Sequence, residues 1–160
     1  RQAYTVLDLG CGGGRNIEYF LTKANKVYGL DHSETSVKMA SEINKEAIKS
    51  GRCKILVGDA KSLPLKDESM DIITAFETIY FWNDIDECFK EIYRVLKKDG
   101  KFLICNEASS NKRKDVRKLS SVIGFEVYTP QDLTKMLTDI GFKCEYYLDK
   151  KEQILFIATK

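Results

Sequence analysis

The chain has 160 residues, a length typical of one domain, and we expect a single domain over residues 1–160. Its 43% hydrophobic and 31% charged residues, with only two prolines, exclude a disordered, collagen-like or fibrous protein. Twenty-six basic and twenty-four acidic side chains leave a formal net charge of +2. This balance does not make nucleic acid or an anionic membrane an expected partner.

Five scattered cysteines show no CxxC pair, and the single histidine, His32, excludes a site that needs several imidazoles. We therefore expect reduced thiols, no metal site and a cytoplasmic location. The apolar runs are far shorter than the ~20 residues of a membrane-spanning helix, so no span is expected. The chain begins directly on an apolar segment, so we expect a trimmed fragment without a signal peptide.

Short apolar runs alternate with amphipathic segments along the chain. The predicted strands are Tyr4 to Leu9, Val27 to Leu30, Cys53 to Val57, Met70 to Phe76, Lys101 to Asn106, Lys143 to Leu148 and Gln153 to Thr159. Helices are predicted after the first strand, from Ser33 to Gly51 with Ile43 on its inner face, from Asp84 to Leu96, and from Thr129 to Gly141. Nearly continuous apolar strands separated by helices indicate a doubly wound α/β fold, and the last two strands indicate a hairpin.

A glycine cluster follows the first strand, in the segment DLGCGGG from Asp8 to Gly14. Glycine allows positive φ angles and lets a ligand approach the backbone, and a strand-to-helix turn of this kind suits an anionic group. The spacing does not satisfy GxGxxG, which weakens a dinucleotide site. A purely structural turn remains the alternative.

Two acidic residues follow the next two predicted strands. Asp31 comes 21 residues after Gly10, where a carboxylate can accept hydrogen bonds from both hydroxyls of a ribose. Asp59 follows the third strand and can accept from an exocyclic amine such as that of adenine. Either acid alone could merely cap a turn. Together with the glycine turn they predict a nucleoside site at the carboxyl edge of the sheet.

Several segments carry a resemblance to a known family: VLDLGCGGGRN (6–16), YGLD (28–31), GDA (58–60), AKSLPLKDESMDII (60–73) and EIYRVLKKDGKFLI (91–104). They resemble class I S-adenosylmethionine-dependent methyltransferases, in particular the branch that includes the quinone and sterol methyltransferases. The resemblance implies a Rossmann-like sheet of seven strands in the order 3-2-1-4-5-7-6, with strand 7 antiparallel. It also implies S-adenosylmethionine as cofactor, S-adenosylhomocysteine as product and a small-molecule substrate.

The resemblance also implies which residues contact the cofactor. Those near the methionine portion and the sulfonium are Asp8, Gly10, Cys11, Gly12, Gly14, Ala75 and Phe76. Those near the ribose and adenine are Asp31, His32, Asp59 and Ala60. For His32 a plain surface position, and for Phe76 an ordinary core position, are the alternatives.

Aromatic and acidic residues after the fourth strand are candidates for the substrate pocket. We expect Glu77, Tyr80 and Trp82 to contact the substrate, and Glu77 or Tyr80 is the candidate for a general base if the acceptor arrives protonated. Relatives often have a histidine shortly after this position, whereas this chain has Tyr80, Phe81 and Trp82. The DPPY or NPPY signature of adenine-N6 methyltransferases is absent.

The basic stretch 112–118 follows the fifth strand, and a solvated loop is the expected structure there. If that loop is functional, it would attract an acidic acceptor, and an RNA or protein methyltransferase becomes the alternative function. A module that binds the cofactor without transferring methyl is a further alternative. Relatives carry N-terminal lid helices, which this sequence is expected to lack.

Overall fold

The computed structural model describes residues 2–110 and 112–160, and seven strands form its centre. The strands are β1 (Gln2–Leu9), β2 (Ala24–Asp31), β3 (Cys53–Val57), β4 (Met70–Phe76), β5 (Leu96–Asn106), β6 (Lys143–Leu148) and β7 (Ile154–Thr159). Their order across the sheet is β3-β2-β1-β4-β5-β7-β6. Strand β7 is antiparallel to β5 and β6, and the other neighbouring pairs are parallel. The predicted fold class and strand order are confirmed; Arg1 and Asn111, within the predicted domain, lie outside the described residues.

Helices cover both faces of this sheet. They are α1 (Arg15–Phe20), α2 (Glu34–Ile43), α3 (Lys45–Lys49), α4 (Ile85–Val95), α5 (Lys114–Ile123) and α6 (Pro130–Ile140), with a short 3-10 helix at Ile79–Phe81. Helices α1, α2 and α3 pack on β1, β2 and β3, where Ile17, Val27 and Ala40 are buried. Helices α4 and α6 pack at the other end of the sheet, around Phe89 and Phe102. No helix of the described ranges has the length and apolar character needed to cross a bilayer.

The segment from Ser33 to Gly51 differs from its prediction. One continuous helix was expected, but α2 and α3 are separated at Asn44, whose amide group is buried and donates to the carbonyls of Gly14 and Ala40 at 3.1 and 3.0 Å. Ile43, predicted on the inner face, is 38% exposed. The buried amide takes the inward position because it satisfies main-chain acceptors where two helices meet.

The prediction of a solvated loop at 112–118 is wrong. Helix α5 begins at Lys114 and ends at Ile123, before Gly124 with a φ of 69°. Its apolar residues Val116, Leu119 and Ile123 recur at helical spacing, which outweighs the basic residues between them. Val116 is buried, and Leu119 and Ile123 are exposed.

The C-terminal elements agree with their prediction. Thr129 caps α6 with a capping box: its side chain accepts from the Asp132 amide, and the Asp132 side chain accepts from the Thr129 amide. Pro130 occupies the first turn, and Gly141 follows the last residue. Because β7 reverses direction, the turn between β6 and β7 lies at the edge where β1–β5 have their carboxyl ends.

Candidate functional site

The glycine turn after β1 is tied to the neighbouring strand β2. The amides of Gly10 and Cys11 both donate to the carbonyl of Leu30, at 2.8 and 3.1 Å. Gly10 has a φ of +68°, and a Cβ there would collide with the side chain of Thr78. Glycine is therefore required at position 10 both by the backbone angle and by the close approach of the segment after β4.

The other two glycines of the predicted site serve the turn itself. Gly14 caps α1 with a φ of +85°, and a Cβ there would lie 2.8 Å from the Ala40 Cα of helix α2. Gly12, with a φ of +50°, has open space where its Cβ would be, and its amide donates to Oδ2 of Asp31 at 2.9 Å. Gly14 thus allows two helices to pack, while Gly12 links the turn to the end of β2.

Asp31 is a buried carboxylate held from two sides. Its Oδ2 accepts from the Gly12 amide and its Oδ1 accepts from the Ser33 amide, each at 2.9 Å. The Nδ1 atom of His32 lies 3.6 Å from the same Oδ1, but the imidazole is exposed. Each carboxylate oxygen can accept a further hydrogen bond, so Asp31 is oriented by the backbone and still able to bind a ligand donor.

Asp8 presents an unsatisfied acceptor inside the sheet. Oδ1 accepts a 2.7 Å hydrogen bond from the Thr74 hydroxyl, whereas Oδ2 is buried without a partner among the described residues. Burial raises the pKa of Asp8 to about 7; the Thr74 hydrogen bond opposes this rise and the charge of Asp31 adds to it. A ligand donor or cation reaching Oδ2 would satisfy the free acceptor.

A cavity of about 420 Å³, which we call the strand-end cavity, opens at the carboxyl ends of β1 to β4. It brings together eight of the predicted site residues: Gly10, Asp31, His32, Asp59, Ala60, Phe76, Glu77 and Trp82. The other lining residues, which sequence analysis did not select, are Leu9, Leu30, Gly58, Thr78, Phe81 and Asn83. Thr78 and Asn83 lie in the segment between β4 and α4, and that position after the carboxyl end of a strand is the signal that would have found them.

Six predicted site residues do not line the strand-end cavity. They are Asp8, Cys11, Gly12, Gly14, Ala75 and Tyr80. Ala75 is fully buried in the core and Cys11 is 7% exposed, with burial raising the pKa of its thiol to about 12. Trp82, predicted as a substrate contact, lies instead beside Asp59 and Ala60 on the strand-end side.

A second and larger cavity, of about 780 Å³, lies between the segment after β4 and helix α5; we call it the apolar cavity. Its apolar wall consists of Tyr80, Phe81, Val116, Leu119, Val122, Ile123 and Phe125, and its charged lining residues are Glu77, Glu107, Arg113, Asp115 and Lys118. Tyr80 is a predicted substrate contact, but the part of the wall formed by residues 116–125 was not predicted. The helical spacing of Val116, Leu119 and Ile123 is the signal that would have revealed it.

Glu77 lies where the two cavities meet, since both are lined by Glu77 and Phe81. It has a φ of 52°, rare for a residue with a side chain, and its Oε1 accepts a hydrogen bond from the Glu107 amide. Burial raises the pKa of Glu77; the Glu107 amide and the Tyr80 hydroxyl oppose that rise. The carboxyl group is thus fixed in place and holds a proton more readily than an exposed glutamate.

Tyr80 links the segment after β4 to the segment after β5. Its hydroxyl accepts from the Ala108 amide at 3.0 Å and donates to the Ala108 carbonyl at 3.3 Å. Burial raises the pKa of this phenol well above its ordinary value. The geometry therefore favours a structural role for the Tyr80 hydroxyl over proton removal, while its ring lines the apolar cavity.

Comparison with known proteins identifies the family. A family profile described as "Methyltransferase domain" matches residues 7–104, more than half of the chain. The chain belongs to the methyltransferase domain family. An uncharacterized methyltransferase, YcgJ of Bacillus subtilis, is 34% identical to this methyltransferase domain over 105 residues, covering 65% of this chain and 41% of the relative.

A second relative agrees with that assignment, and a solved structure shares the fold. Cycloartenol-C-24-methyltransferase 1 of Oryza sativa subsp. japonica is 30% identical over 158 residues, covering 92% of this chain and 46% of the relative. The crystal structure of YcgJ superposes with a TM-score of 0.84 at 18% identity, covering 100% of this chain and 93% of that one. The sequence matches thus cover less than half the length of YcgJ and of the rice relative, 41% and 46% respectively.

The residues present fit S-adenosylmethionine, the cofactor of this family. Asp31 offers oriented acceptors at the end of β2, and the buried Oδ2 of Asp8 is an acceptor without a partner among the described residues. Gly10 lines the strand-end cavity at the end of β1. The predicted recognition of the family and of its cofactor is confirmed; the roles of individual residues remain predictions.

Proposed function

We propose that this methyltransferase domain transfers a methyl group from S-adenosylmethionine, bound in the strand-end cavity, to a small molecule bound in the apolar cavity. One observation carries the proposal: the two cavities share Glu77 and Phe81 as lining residues. An acceptor in the apolar cavity therefore has access to a cofactor at the strand ends. The sterol substrate in the name of the rice relative supports an apolar acceptor.

On the cofactor side, we assign the roles from the hydrogen bonds described above. Asp31 accepts from the ribose hydroxyls with the lone pairs that Gly12 and Ser33 leave free. Asp59 accepts from the adenine amine beside Ala60, whereas Asp8, at the end of β1, does not line the strand-end cavity. Cys11, Gly12 and Gly14 act through the turn that they form, and Gly10 by lacking a Cβ.

When bound, S-adenosylmethionine would supply a methyl group on a positively charged sulfur, which would keep the carbon–sulfur electron pair and leave as the neutral thioether S-adenosylhomocysteine. The chain's own contribution is to position the acceptor and exclude water, which can supply up to ~7 to 11 kcal/mol. Phe76 and Phe81 place aromatic faces at the strand-end cavity, where ring faces attract positive charge.

Glu77 is the group that would accept a proton from the acceptor. A hydroxyl or amine acceptor must lose its proton as the new carbon bond forms, and Glu77 lies at the junction of the cavities. Its Oε1 is engaged by the Glu107 amide, which leaves Oε2 as the proton acceptor. The raised pKa suits this role because a base works best when its pKa approaches the working pH.

The test is an acceptor panel assayed with radiolabelled S-adenosylmethionine. We expect label to move to apolar small molecules, and we expect Val122→Asp to abolish transfer because it places a charge in the apolar wall. Cofactor binding by calorimetry should be unchanged in that variant, since Val122 lies outside the strand-end cavity.

Two results would contradict the proposal. Tight cofactor binding without transfer to any acceptor would support a non-catalytic binding module. Transfer to RNA or protein that persists in Val122→Asp would place the acceptor outside the apolar cavity.

A further inference from the structure

We propose that the acceptor is an amphipathic anion, whose apolar part occupies the apolar cavity and whose carboxylate or phosphate group binds Arg113, Lys150 and Lys151. This inference rests on the proposed function and narrows the substrate class of the same site. It is carried by a third cavity, of about 480 Å³, lined by Arg113, Lys150, Lys151 and Glu152. We call this the basic cavity.

The basic cavity adjoins the apolar cavity at one residue. Arg113 lines both, because it immediately precedes α5 and the hairpin turn lies beside it. The turn reaches this edge of the sheet because β7 is antiparallel, which brings residues 149–152 to the carboxyl ends of the parallel strands. One bound molecule can therefore contact the apolar wall and the basic side chains together.

The hairpin turn is held in place by several hydrogen bonds. Oδ1 of Asp149 accepts from the amides of Lys151 and Gln153 at 2.8 and 2.9 Å. The hydroxyl of Ser109 donates to the Glu152 carbonyl, and that of Ser110 donates to Oε2 of Glu152, each at 2.7 Å. These contacts fix the turn against the segment after β5, so Lys150 and Lys151 extend from an ordered backbone.

The charges of the basic cavity favour an anion. Glu152 is its only acidic lining residue among those described, and Arg113 forms an ion pair of 2.6 Å with Asp115. Within residues 2–110 and 112–160, no ion pair involves the ammonium groups of Lys150 or Lys151. The lining residues of the basic cavity are three cations and one acid, and a carboxylate or phosphate group would compensate their net charge of +2.

The shape of the combined site defines the ligand further. The apolar wall formed by Phe81, Leu119 and Val122 suits an alkyl, isoprenoid or ring body. The charged end lies on the α5 and hairpin side, whereas Glu77 marks the end near the cofactor. The methylated group is therefore at the opposite end of the acceptor from its anionic group.

The experiment measures binding of three ten-carbon probes, decanoate, decyl phosphate and 1-decanol, to the chain loaded with S-adenosylhomocysteine. Calorimetry at low salt should give both anions a Kd at least tenfold lower than that of 1-decanol. The double variant Lys150→Gln, Lys151→Gln should raise the Kd of both anions to that of 1-decanol and leave 1-decanol unchanged. The matched control Lys23→Gln, Lys49→Gln, on exposed lysines elsewhere, should change none of the three values.

Each result has a defined meaning. Equal affinity for all three probes, or an anion preference that survives in the lysine variant, overturns the anionic class and leaves the proposed function standing. Failure of all three probes to bind while S-adenosylhomocysteine binds overturns the apolar cavity as the acceptor site. A preference for decyl phosphate over decanoate identifies phosphate as the anionic group, and the reverse identifies carboxylate.

Discussion

The hydroxyl of Thr74 donates a 2.7 Å hydrogen bond to Oδ1 of Asp8 in the interior of the sheet. The two residues are partners in the register of β1 and β4, so their side chains emerge side by side between parallel strands. The hydrogen bond satisfies one carboxyl oxygen and leaves Oδ2 buried without a partner among the described residues. This arrangement makes the stability of the domain depend on the protonation state of Asp8.

We predict that Asp8 destabilises the fold as the pH rises from about 4 to about 7. The pKa of Asp8 is about 7 in the folded chain, against 3.8 for a carboxyl group exposed to water, so the folded state retains its proton in this window. Stability is thus lost as pH increases, on the order of 4 kcal/mol in total. Asp8→Asn should remove this dependence, as measured by urea unfolding at pH 5 and pH 8.

The matched control is Glu46→Gln, on the exposed surface of α3, which should keep the pH dependence of the parent chain. If Asp8→Asn and the parent lose equal stability between the two pH values, the burial of a neutral carboxyl group is refuted.

Cofactor binding should depend on Asp31 more than on its neighbours. Asp31→Ala removes the acceptors proposed for the ribose and also frees the Gly12 and Ser33 amides, so we expect at least a tenfold weaker Kd for S-adenosylmethionine, about 1.4 kcal/mol. Calorimetry should also show no binding of NAD by the parent. Glu34→Gln is the control, because Glu34 is close to Asp31 in the chain but exposed, and we expect its affinity to be unchanged. A Kd in Asp31→Ala equal to that of the parent would contradict the assignment of Asp31 to the ribose.

Two glycines with similar backbone angles should respond differently to alanine. Gly14 and Gly51 have φ of +85° and +77°, but a Cβ at Gly14 would lie 2.8 Å from the Ala40 Cα whereas none of the described residues lies within 4 Å at Gly51. Gly51→Ala should lower the free energy of unfolding by roughly 1–2 kcal/mol, the penalty for a left-handed backbone conformation alone. Gly14→Ala should cost a further ~1–3 kcal/mol for overpacking, measured by denaturant unfolding. Equal losses in the two variants would show that α1 and α2 are not in contact there.

Methyl transfer should depend on the Glu77 carboxylate when the acceptor carries a proton. Glu77→Gln should lower kcat on the acceptor methylated fastest in the panel by about 100-fold, with little change in KM. In the parent, the rate should rise with pH through the raised pKa of Glu77, and the variant should lose this limb. Glu46→Gln is the control, since Glu46 is exposed on α3 and lines neither cavity. A pH profile shared by parent and Glu77→Gln would exclude Glu77 as the base.

The sheet was predictable because its signals are local. Strands β1 to β4 are short, mainly apolar runs that end at or just before a glycine or an acid, and β3 and β4 begin and end where the sequence places them. The break between α2 and α3 was not predictable in this way. The burial of Asn44 depends on the carbonyl of Gly14, thirty positions away along the chain.

The lining of the strand-end cavity was likewise easier to predict than that of the apolar cavity. Gly10, Asp31 and Asp59 lie at strand ends, and topology alone brings those ends together. The roles of Gly12 and Gly14 depend on tertiary contacts, so sequence could not separate them from Gly10. The part of the apolar wall formed by residues 116–125 was not predicted because the basic residues of α5 concealed the spacing of Val116 and Leu119.

Helix α5 contributes one buried side chain, Val116, while Leu119, Val122 and Ile123 remain exposed. Substitutions on that exposed face remove little packing from the core, so most of them should be tolerated without loss of folding. We therefore expect substitutions on this face to change acceptor preference more readily than cofactor binding, since the strand-end cavity is formed by the sheet. A laboratory search for new acceptors would begin with libraries at those three positions.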